Sequence, residues 1–328
     1  MIILYTGTAF AIDPMSKESG ISGFVTFGAG VFSIKSNMIA GSGLFDFGKK
    51  NIDSIIDKPD DAKTKVLPVL VGEVRYTFAQ SRTQVFFGNR FEDFLRFNFT
   101  TALGVRQELP DSSTLGVGFV FGLPSSVWED PYVEDRDRNK TDSTSPGARI
   151  VWDEILSSNF QLEFVYQNIN IQKELSGRTQ LNLPQSEAER LIRDGNQYRV
   201  ELLYRFIMGE RRHRIVPALR YARDDLDGDA MSNNRYALQL TYGYDGKKFS
   251  VVANANFAHS EHDKENPIYD KTQKDDSVAL GLTGFYKKPF DAEKWSIVGS
   301  VFGSKTYSNI DFYESEAFGV AITAFYRF

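Results

Sequence analysis

The sequence of 328 residues predicts an all-β fold, an antiparallel up-and-down barrel of about fourteen strands that crosses a membrane. Three observations predict it. Apolar and polar side chains alternate with a period of two along many segments, as the two faces of a strand require. The connections between these segments alternate between long or charged and short ones. The final segment has a fully apolar face that ends on an aromatic residue.

The final segment, 316–328, carries the clearest of these signals. Its apolar face consists of Phe318, Val320, Ile322, Ala324, Tyr326 and Phe328. A membrane barrel turns such a face toward lipid and places aromatic rings at the interface. The segment resembles the C-terminal signature strand of Gram-negative outer-membrane β-barrels. That resemblance implies that Tyr326 and Phe328 form an assembly signal for the barrel-assembly machinery.

Composition agrees with a barrel and argues against several other classes. The net charge of −5 gives no argument for nucleic acid, and without cysteine there is neither a disulfide framework nor a thiolate metal site. Mean hydropathy is polar, and no apolar run approaches the ~20 residues that a transmembrane helix needs. A polar average still permits insertion, because only every second residue of a barrel strand meets lipid.

The first eleven residues look like the end of a secretory signal peptide. An apolar run ends in Ala9-Phe10-Ala11, the small-x-small pattern of a signal-peptidase site, although the basic n-region is missing. An ordinary disordered N-terminus is the alternative. The prediction divides the chain into a signal-peptide remnant (1–11), a periplasmic segment (12–20) and one transmembrane barrel (21–328).

Fourteen strands are predicted from the alternating apolar residues. In chain order they are 21–34 (lipid face not assigned), Val66–Ala79, Val85–Phe87, Phe97–Val105, Leu115–Phe121, Ala148–Trp152, Phe160–Tyr166, Val200–Phe206, Ile215–Tyr221, Tyr236–Tyr244, Phe249–Phe257, Val278–Tyr286, Trp295–Lys305 and 316–328.

The predicted connections place the chain in the membrane. Long polar loops cover 36–65 and 124–145, and charged loops contain D-D-L-D-G-D and H-S-E-H-D-K-E-N-P. Counting back from the C-terminus, every short turn falls at the end of the barrel where the chain finishes, as the periplasmic turns of outer-membrane barrels do.

Four local predictions accompany this arrangement. Phe91–Phe94 is predicted to make a tight connection, and Asp245-Gly246 a two-residue hairpin turn. Ser186 and Glu189 have the capping-box spacing of a short helix. Pro217 removes a hydrogen-bond donor from a strand, so we expect a bulge there.

Soluble all-β folds explain the pattern less well. A propeller would repeat a motif at a period of ~40 residues, and the sequence shows no such motif. A sandwich would use shorter strands and would bury its apolar faces rather than alternate so uniformly.

The side chains opposite the apolar faces would lie inside the barrel, and they are rich in arginine. An arginine facing lipid would cost ~2–4 kcal/mol at the bilayer centre, so this segregation supports the assigned faces. Rings of arginine select anions in pores. Alternatively, the arginines pair with acids on neighbouring strands and simply fill a wet lumen. The predicted pore-lining residues are Arg75, Arg90, Arg96, Arg106, Arg149, Arg199, Arg205, Arg220 and Arg235 with Glu73, Glu163 and Glu201; Arg214 and Asp153 share the face.

Neither catalysis nor a cofactor is expected. The sequence lacks a G-x-S-x-G elbow, an H-E-x-x-H motif and a phosphate-binding glycine loop. His259 and His262, in a predicted outer loop, are weak candidates for a divalent ion, with a solvated charged loop as the alternative. His213 is predicted beside a periplasmic turn.

As a whole, the chain resembles an uncharacterised family of outer-membrane proteins from marine gammaproteobacteria and, in size, the monomeric fourteen-stranded porins. It has neither the N-terminal hatch nor the Asn-Pro-Ala motif of the long-chain fatty-acid transporters. The resemblance implies a monomer in the bacterial outer membrane, in contact with lipid and lipopolysaccharide.

The predicted function is a passive diffusion channel for small hydrophilic solutes, and the inward arginines further predict a preference for anionic ones. The first alternative is a structural or adhesive surface barrel whose loops occlude the lumen. The second, less favoured, is an enzyme with its site at the outer rim.

Overall fold

The structure is a computed structural model that describes residues 15–42, 45–96, 100–121, 125–210 and 212–328. The predicted signal-peptide remnant lies outside these residues. The strands are β1 (Gly20–Ser36), β2 (Ile39–Ser42), β3 (Phe45–Asp46), β4 (Lys63–Phe78), β5 (Thr83–Asn89), β6 (Thr101–Glu108), β7 (Thr114–Phe121), β8 (Ser125–Trp128), β9 (Lys140–Thr144), β10 (Gly147–Asp153), β11 (Phe160–Ile171), β12 (Gly195–Tyr204), β13 (Phe206–Met208), β14 (His213–Leu226), β15 (Asn233–Asp245), β16 (Phe249–Asn266), β17 (Lys271–Lys287), β18 (Trp295–Ser308) and β19 (Ser315–Arg327). The helices are α1 (Phe91–Leu95) and α2 (Gln185–Glu189), with 3-10 turns at Ile155–Ser157, Pro289–Asp291 and Asp311–Tyr313.

Fourteen strands close into one antiparallel barrel, as predicted. Around the ring they are β1, β4–β7, β10, β11, β12 continued by β13, and β14–β19. The first strand pairs with the last, from Phe24 opposite Arg327 to Ser36 opposite Ser315. Because the ring is closed, backbone groups of these strands pair around it and leave no sheet edge open to lipid.

The outer face of the barrel is apolar and the inner face is polar, because side chains alternate along each strand. Leu70, Leu219 and Ile322 expose 74%, 62% and 66% of their surface. On β4, Leu70 and Val74 point outward, whereas Val71 and Glu73 lie inside. A contiguous apolar surface of this extent is typical of a membrane-facing protein. No helix in the described ranges has the length and apolar character needed to cross a membrane.

Aromatic side chains ring the barrel near each end, where a bilayer interface would lie. The ring at the end where the chain finishes contains close pairs such as Trp295–Tyr326, with centroids 4.8 Å apart, and Tyr76–Phe78, also at 4.8 Å. The ring at the other end contains Tyr166, Tyr198, Tyr221, Tyr236 and Tyr307. The two girdles set the height of the bilayer on the barrel.

Several predicted connections differ from the structure. The segment H-S-E-H-D-K-E-N was predicted as a loop, but it is the outer half of β16, which runs on to Asn266. Part of D-D-L-D-G-D likewise belongs to β14. These strands extend beyond the apolar belt, where their outward side chains become charged, and the charge alone made them look like loops.

Three local predictions need correction. Register is the same on both sides of Pro217, so there is no bulge; pairing with the preceding strand is instead interrupted at Arg205. The β15–β16 hairpin forms, but Gly246 N–H donates to the Phe249 carbonyl at 2.9 Å, so the two turn residues are Lys247 and Lys248 rather than the predicted Asp245 and Gly246. Helix α2 forms with Pro184 at its N-cap and no capping-box hydrogen bond.

The outer loops pack into one apolar cluster, here called the outer cap. Six of the connections between barrel strands contribute to it. Its buried members are Ile52, Ile55, Tyr132, Leu191, Met231, Ile310, Phe312 and Tyr313. The predicted long loops 36–65 and 124–145 therefore fold over the outer mouth, and they contain the short strands β2, β3, β8 and β9.

The connection after β5 folds into the barrel instead. Its helix α1 lies inside the lumen, with Asp93, Phe94 and Leu95 buried. The segment 90–96 is called the plug below. The prediction of a tight connection at Phe91–Phe94 is wrong, because these residues form a helix held by side chains from distant strands.

Candidate functional site in the lumen

One side of the plug is apolar and packs against one half of the barrel wall. The ring of Phe91 lies 5.3 Å from that of Phe325 and 5.2 Å from that of Phe24, measured between centroids. Phe94 and Leu95 belong to the same buried cluster. The wall supplies Phe24, Val71, Val252, Phe285, Val298 and Phe325 to this cluster.

The other side of the plug is charged and pairs with the opposite half of the wall. The Asp93 carboxylate accepts a 2.6 Å hydrogen bond from Arg149 of β10, which also contacts Glu163 of β11. Glu92 lies 3.3 Å from Arg205, whose guanidinium also donates to Asp153 at 2.8 Å. Glu92 and Asp93 were missed by sequence reasoning, because they stand between phenylalanines in a stretch interpreted as a turn.

The C-terminal end of the plug reaches across the lumen. Arg96 donates to Glu201 at 2.6 Å and to Gln239 at 2.9 Å, and Glu201 also accepts from Arg220 at 2.6 Å. The Leu95 carbonyl accepts a 2.7 Å hydrogen bond from the Asn254 side chain of β16. Arg96 was predicted on a strand face. It instead follows α1, and it reaches the interior from the plug.

A second ion-pair group lies beside the plug on β4 and β6. Glu73 accepts two hydrogen bonds of 2.9 Å from Arg106, and Arg75 lies 3.4 Å from it. The Arg106 guanidinium also covers the Phe86 ring at 4.1 Å from its centroid. A planar guanidinium can form such a bidentate pair and a ring contact together.

The structure places the predicted pore-lining residues inside the barrel. Arg90 joins Arg96 on the plug, and the others lie on the inner faces of strands or, for Arg205, between two strand segments. Most are paired: Arg199 lies 3.2 Å from Glu163 and Arg235 lies 3.3 Å from Asp224. The pairing interpretation of these arginines therefore matches the geometry. Arginines still outnumber acids in the network around the plug, so its net charge is positive.

The level of the plug is densely filled around the whole ring. Inward-facing Thr26, Thr77 and Thr283 are fully or almost fully buried, and so are Glu73 and Glu201. Further out, inward-facing side chains become small, such as Ala237, Ala258 and Ala279. There the side chains of Arg220 and Arg235 are 25% and 45% exposed. Solvent therefore reaches the wall between the plug and the outer cap.

Polar side chains hold the outer cap together from within. The hydroxyls of Tyr132 and Tyr313 lie 2.6 Å apart, and Asn266 donates to Tyr313 at 2.8 Å. Burial raises the pKa of Tyr132 to about 12 and raises the pKa of Tyr313 as well. Arg138 ties two loops together, because it donates to the carbonyls of Asn37 and Pro131 at 2.7 and 3.0 Å.

The histidines do not form the weakly predicted metal pair. His259 points outward and lies 2.8 Å from Asp276, whereas His262 points into the barrel. Residues three apart on a strand face opposite sides, and the loop interpretation concealed this. In the described ranges, no group of three or more His, Asp or Glu side chains is arranged to hold a metal ion. His213 lies near the periplasmic turn, as predicted, against Tyr242.

These features define an outer-membrane β-barrel with a plugged lumen and a covered outer mouth. The chain belongs to the family described as "Protein of unknown function (DUF2860)", whose model matches residues 20–327. None of the curated proteins matches the sequence.

Among the solved structures that align with this one is the outer membrane channel DcaP of Acinetobacter baumannii, with 11% identity over 95% of this chain and 97% of that chain and a TM-score of 0.47. Another is an anion-selective porin from Comamonas acidovorans, with 10% identity over 95% of this chain and 100% of that chain and a TM-score of 0.42. A loop-deletion mutant of OmpT from Vibrio cholerae has 10% identity over 94% of this chain and 99% of that chain, with a TM-score of 0.42. At these scores the likenesses carry no inference about solute or mechanism.

Proposed function

We propose that the protein is an outer-membrane channel for small hydrophilic solutes with a preference for anions, and that the plug is its gate. The observation that carries this proposal is the charged lumen. A barrel with a purely structural role gains nothing from burying so many ionised groups, because each loses hydration when the lumen is filled. A lumen that opens to water restores that hydration.

Anion preference follows from the excess of arginine. The part-exposed Arg220 and Arg235 lie where a solute entering past the outer cap would first meet the wall. Positive side chains lower the barrier for negative solutes in a narrow, low-dielectric passage. In this proposal the predicted set, from Arg75 to Arg235 with Glu73, Glu163 and Glu201, is pore-lining once the plug moves.

The plug is suited to a gating role because side-chain ion pairs and hydrogen bonds, which water can replace, hold it to opposite walls. Asp93 on one side and the Leu95 carbonyl on the other anchor it to opposite walls, through Arg149 and Asn254. When the plug swings aside, its carboxylates and the wall arginines pass from one another to water. Opening also exposes the apolar residues of the plug to water, and this exposure opposes opening.

A cysteine lock tests the gate, because the chain has no cysteine of its own. We would combine Leu95→Cys with Asn254→Cys, two positions that a hydrogen bond already joins. Single-channel conductance is measured in planar bilayers under oxidising and reducing conditions. We expect openings in the reduced protein and in both single-cysteine variants, and loss of openings when the double variant is oxidised.

The outcomes separate the hypotheses. Openings that persist in the oxidised double variant would show that solutes bypass the plug. No openings in wild type, nor in Arg149→Met, which removes the anchor of the plug, would overturn the channel itself. A reversal potential that favours cations would overturn anion preference alone. In that measurement Arg220→Gln is expected to lower the anion-to-cation permeability ratio several-fold.

The second candidate is a structural or adhesive surface barrel, and the outer cap favours it. Six loops share one apolar cluster, as they would in a fixed surface for contact with other molecules. This candidate predicts no conductance in any of the variants above. The assembly role of Tyr326 and Phe328, the contact with lipopolysaccharide and the monomeric state also stay predictions.

A further inference from the structure

A group of polar side chains lies on the inner faces of β15, β16 and β17 beneath the outer cap. Asn233 of β15 is the register partner of His262 on β16. Asp275 of β17 is the partner of Ser260, which precedes His262 on the same face. Gln273 precedes Asp275 by two residues and lies on the same inward face of β17. The side chains of Asn233, His262, Asp275 and Gln273 take no part in the plug network.

The orientation of His262 is determined by its hydrogen bond. Its Nδ1 lies 2.8 Å from the carbonyl oxygen of Ala230, which can only accept, so Nδ1 carries the proton. In the neutral ring Nε2 then keeps a free lone pair, and the ring is 8% exposed. That Nε2 lies 4.0 Å from Oδ2 of Asp275, so two acceptors face each other with no proton between them.

Asp275 is a largely buried carboxylate without a cationic side chain beside it. Its side chain is 14% exposed, and in the described ranges it has no lysine or arginine within 4.0 Å. The nearby Arg235 pairs with Asp224, and Lys274 pairs with Glu261 on the outer surface. Oδ1 of Asp275 has no hydrogen-bond partner within the protein. A carboxylate in such surroundings is unfavourable unless a positive charge lies nearby.

Two buried amide oxygens beside this carboxylate also lack hydrogen-bond donors. Gln273 uses its NH2 group to donate to Asp275 at 2.8 Å, and its buried Oε1 has no hydrogen-bond partner within the protein. Asn233 uses its NH2 group to donate to Asp224 at 3.0 Å, and its Oδ1 is likewise unpartnered. Flipping either amide would set oxygen against oxygen. Both side chains are 5% exposed.

We propose that His262 and Asp275 bind a divalent transition-metal ion, with the amide oxygens of Gln273 and Asn233 as further donors. An imidazole whose other nitrogen donates to a backbone carbonyl is the usual arrangement for a metal ligand. One imidazole with oxygen donors suits an ion such as Zn²⁺ better than Ca²⁺. The bond to Ala230 would couple the ion to the β14–β15 loop, whose Met231 belongs to the outer cap.

The test is a Zn²⁺ titration by calorimetry on the folded full chain in detergent, purified without a polyhistidine tag. We expect one saturable site in wild type and at least a tenfold weaker one in His262→Gln and in Asp275→Asn. The matched control is His259→Gln on the same strand, because His259 points outward and pairs with Asp276. It should bind as wild type does.

Three results would overturn the site: no saturable binding in wild type, equal loss in His259→Gln and His262→Gln, or wild-type affinity in Asp275→Asn. Folding of each variant is checked by the heat-dependent gel mobility of the barrel. If His262→Gln does not fold, Co²⁺ added to wild type decides. A ligand-field spectrum with nitrogen ligation supports the site, and a spectrum of the hexaaquo ion contradicts it. None of these readouts depends on conductance.

Discussion

The plug and the outer cap close the two halves of the same barrel by different physical means. The plug is one short segment that combines an apolar side with ion pairs to distant strands, such as Asp93–Arg149. The cap is built from six loops and is apolar and aromatic at its centre, where Phe312 and Tyr132 are fully buried. Opening the plug would separate ion pairs into water and expose the apolar side of one short segment, whereas opening the cap would expose the apolar cluster shared by six loops. In the proposed function, the plug is therefore the movable closure and the cap is the fixed one.

The largest expected effect is at the anchor of the plug. Replacing Arg149 with Met leaves Asp93 and Glu163 buried without their shared partner, which typically costs ~3–5 kcal/mol. Because the loss falls on the plug, we expect more frequent channel openings as well as a lower free energy of unfolding. Urea titration and conductance measure the two quantities.

The matched control is Arg235→Met, whose partly exposed pair with Asp224 should contribute ~1 kcal/mol or less. If Arg149→Met had the same free energy of unfolding and the same frequency of channel openings as this control, the distinction between a movable plug and a fixed cap would be contradicted.

The next effect concerns the cap alone. Phe312→Ala removes a fully buried ring and is expected to cost ~3 kcal/mol or more through lost contacts and a cavity. Since the cap packs as one cluster, all six loops should become more accessible together, as measured by hydrogen exchange or limited proteolysis. Openings through the plug should stay unchanged.

Phe290→Ala is the control, because that ring is 98% exposed on a periplasmic turn and should leave both readouts at wild-type values. Protection lost in one loop only would contradict a shared cluster.

The smallest expected effect is on titration. Burial raises the pKa of Tyr132 to about 12 and that of Tyr269 and Tyr313 as well, from the usual value of about 10. The tyrosines of the folded cap therefore keep their protons up to a higher pH than tyrosines of open loops do. The stability that the tyrosines contribute is present below pH ~10 and falls as the pH rises toward 12.

Phenolate absorbance should rise in two phases, the later one from the cap. The Phe312→Ala variant should shift the later phase to lower pH. A single phase in wild type would place these tyrosines in water.

The barrel could be predicted from sequence because each strand residue meets either lipid or the interior. On β4, the opposition of Leu70 and Val74 to Glu73 follows directly from that choice. The outer ends of β14 and β16 could not be predicted in the same way. Beyond the bilayer, both faces meet water, and the apolar alternation that defined the strands disappears.

The interior could be predicted in part. The inward arginines followed from their strand faces, but their partners did not. Asp93 lies 56 residues from Arg149 in sequence, and only the folded barrel brings them together. The inward course of 90–96 depends on phenylalanines from both ends of the chain, such as Phe24 and Phe325. No local signal records such contacts.

The shared apolar cluster of the cap also constrains how the surface of this protein can change. A peptide tag inserted among Ile310, Phe312 and Tyr313 would push apart segments that are remote in sequence, and would disturb every surface loop at once. The same tag at Lys247–Lys248, in the short β15–β16 turn, would meet only its own hairpin. Display of foreign epitopes, and tolerance of natural variation, should therefore be poorest where the exposed loops converge.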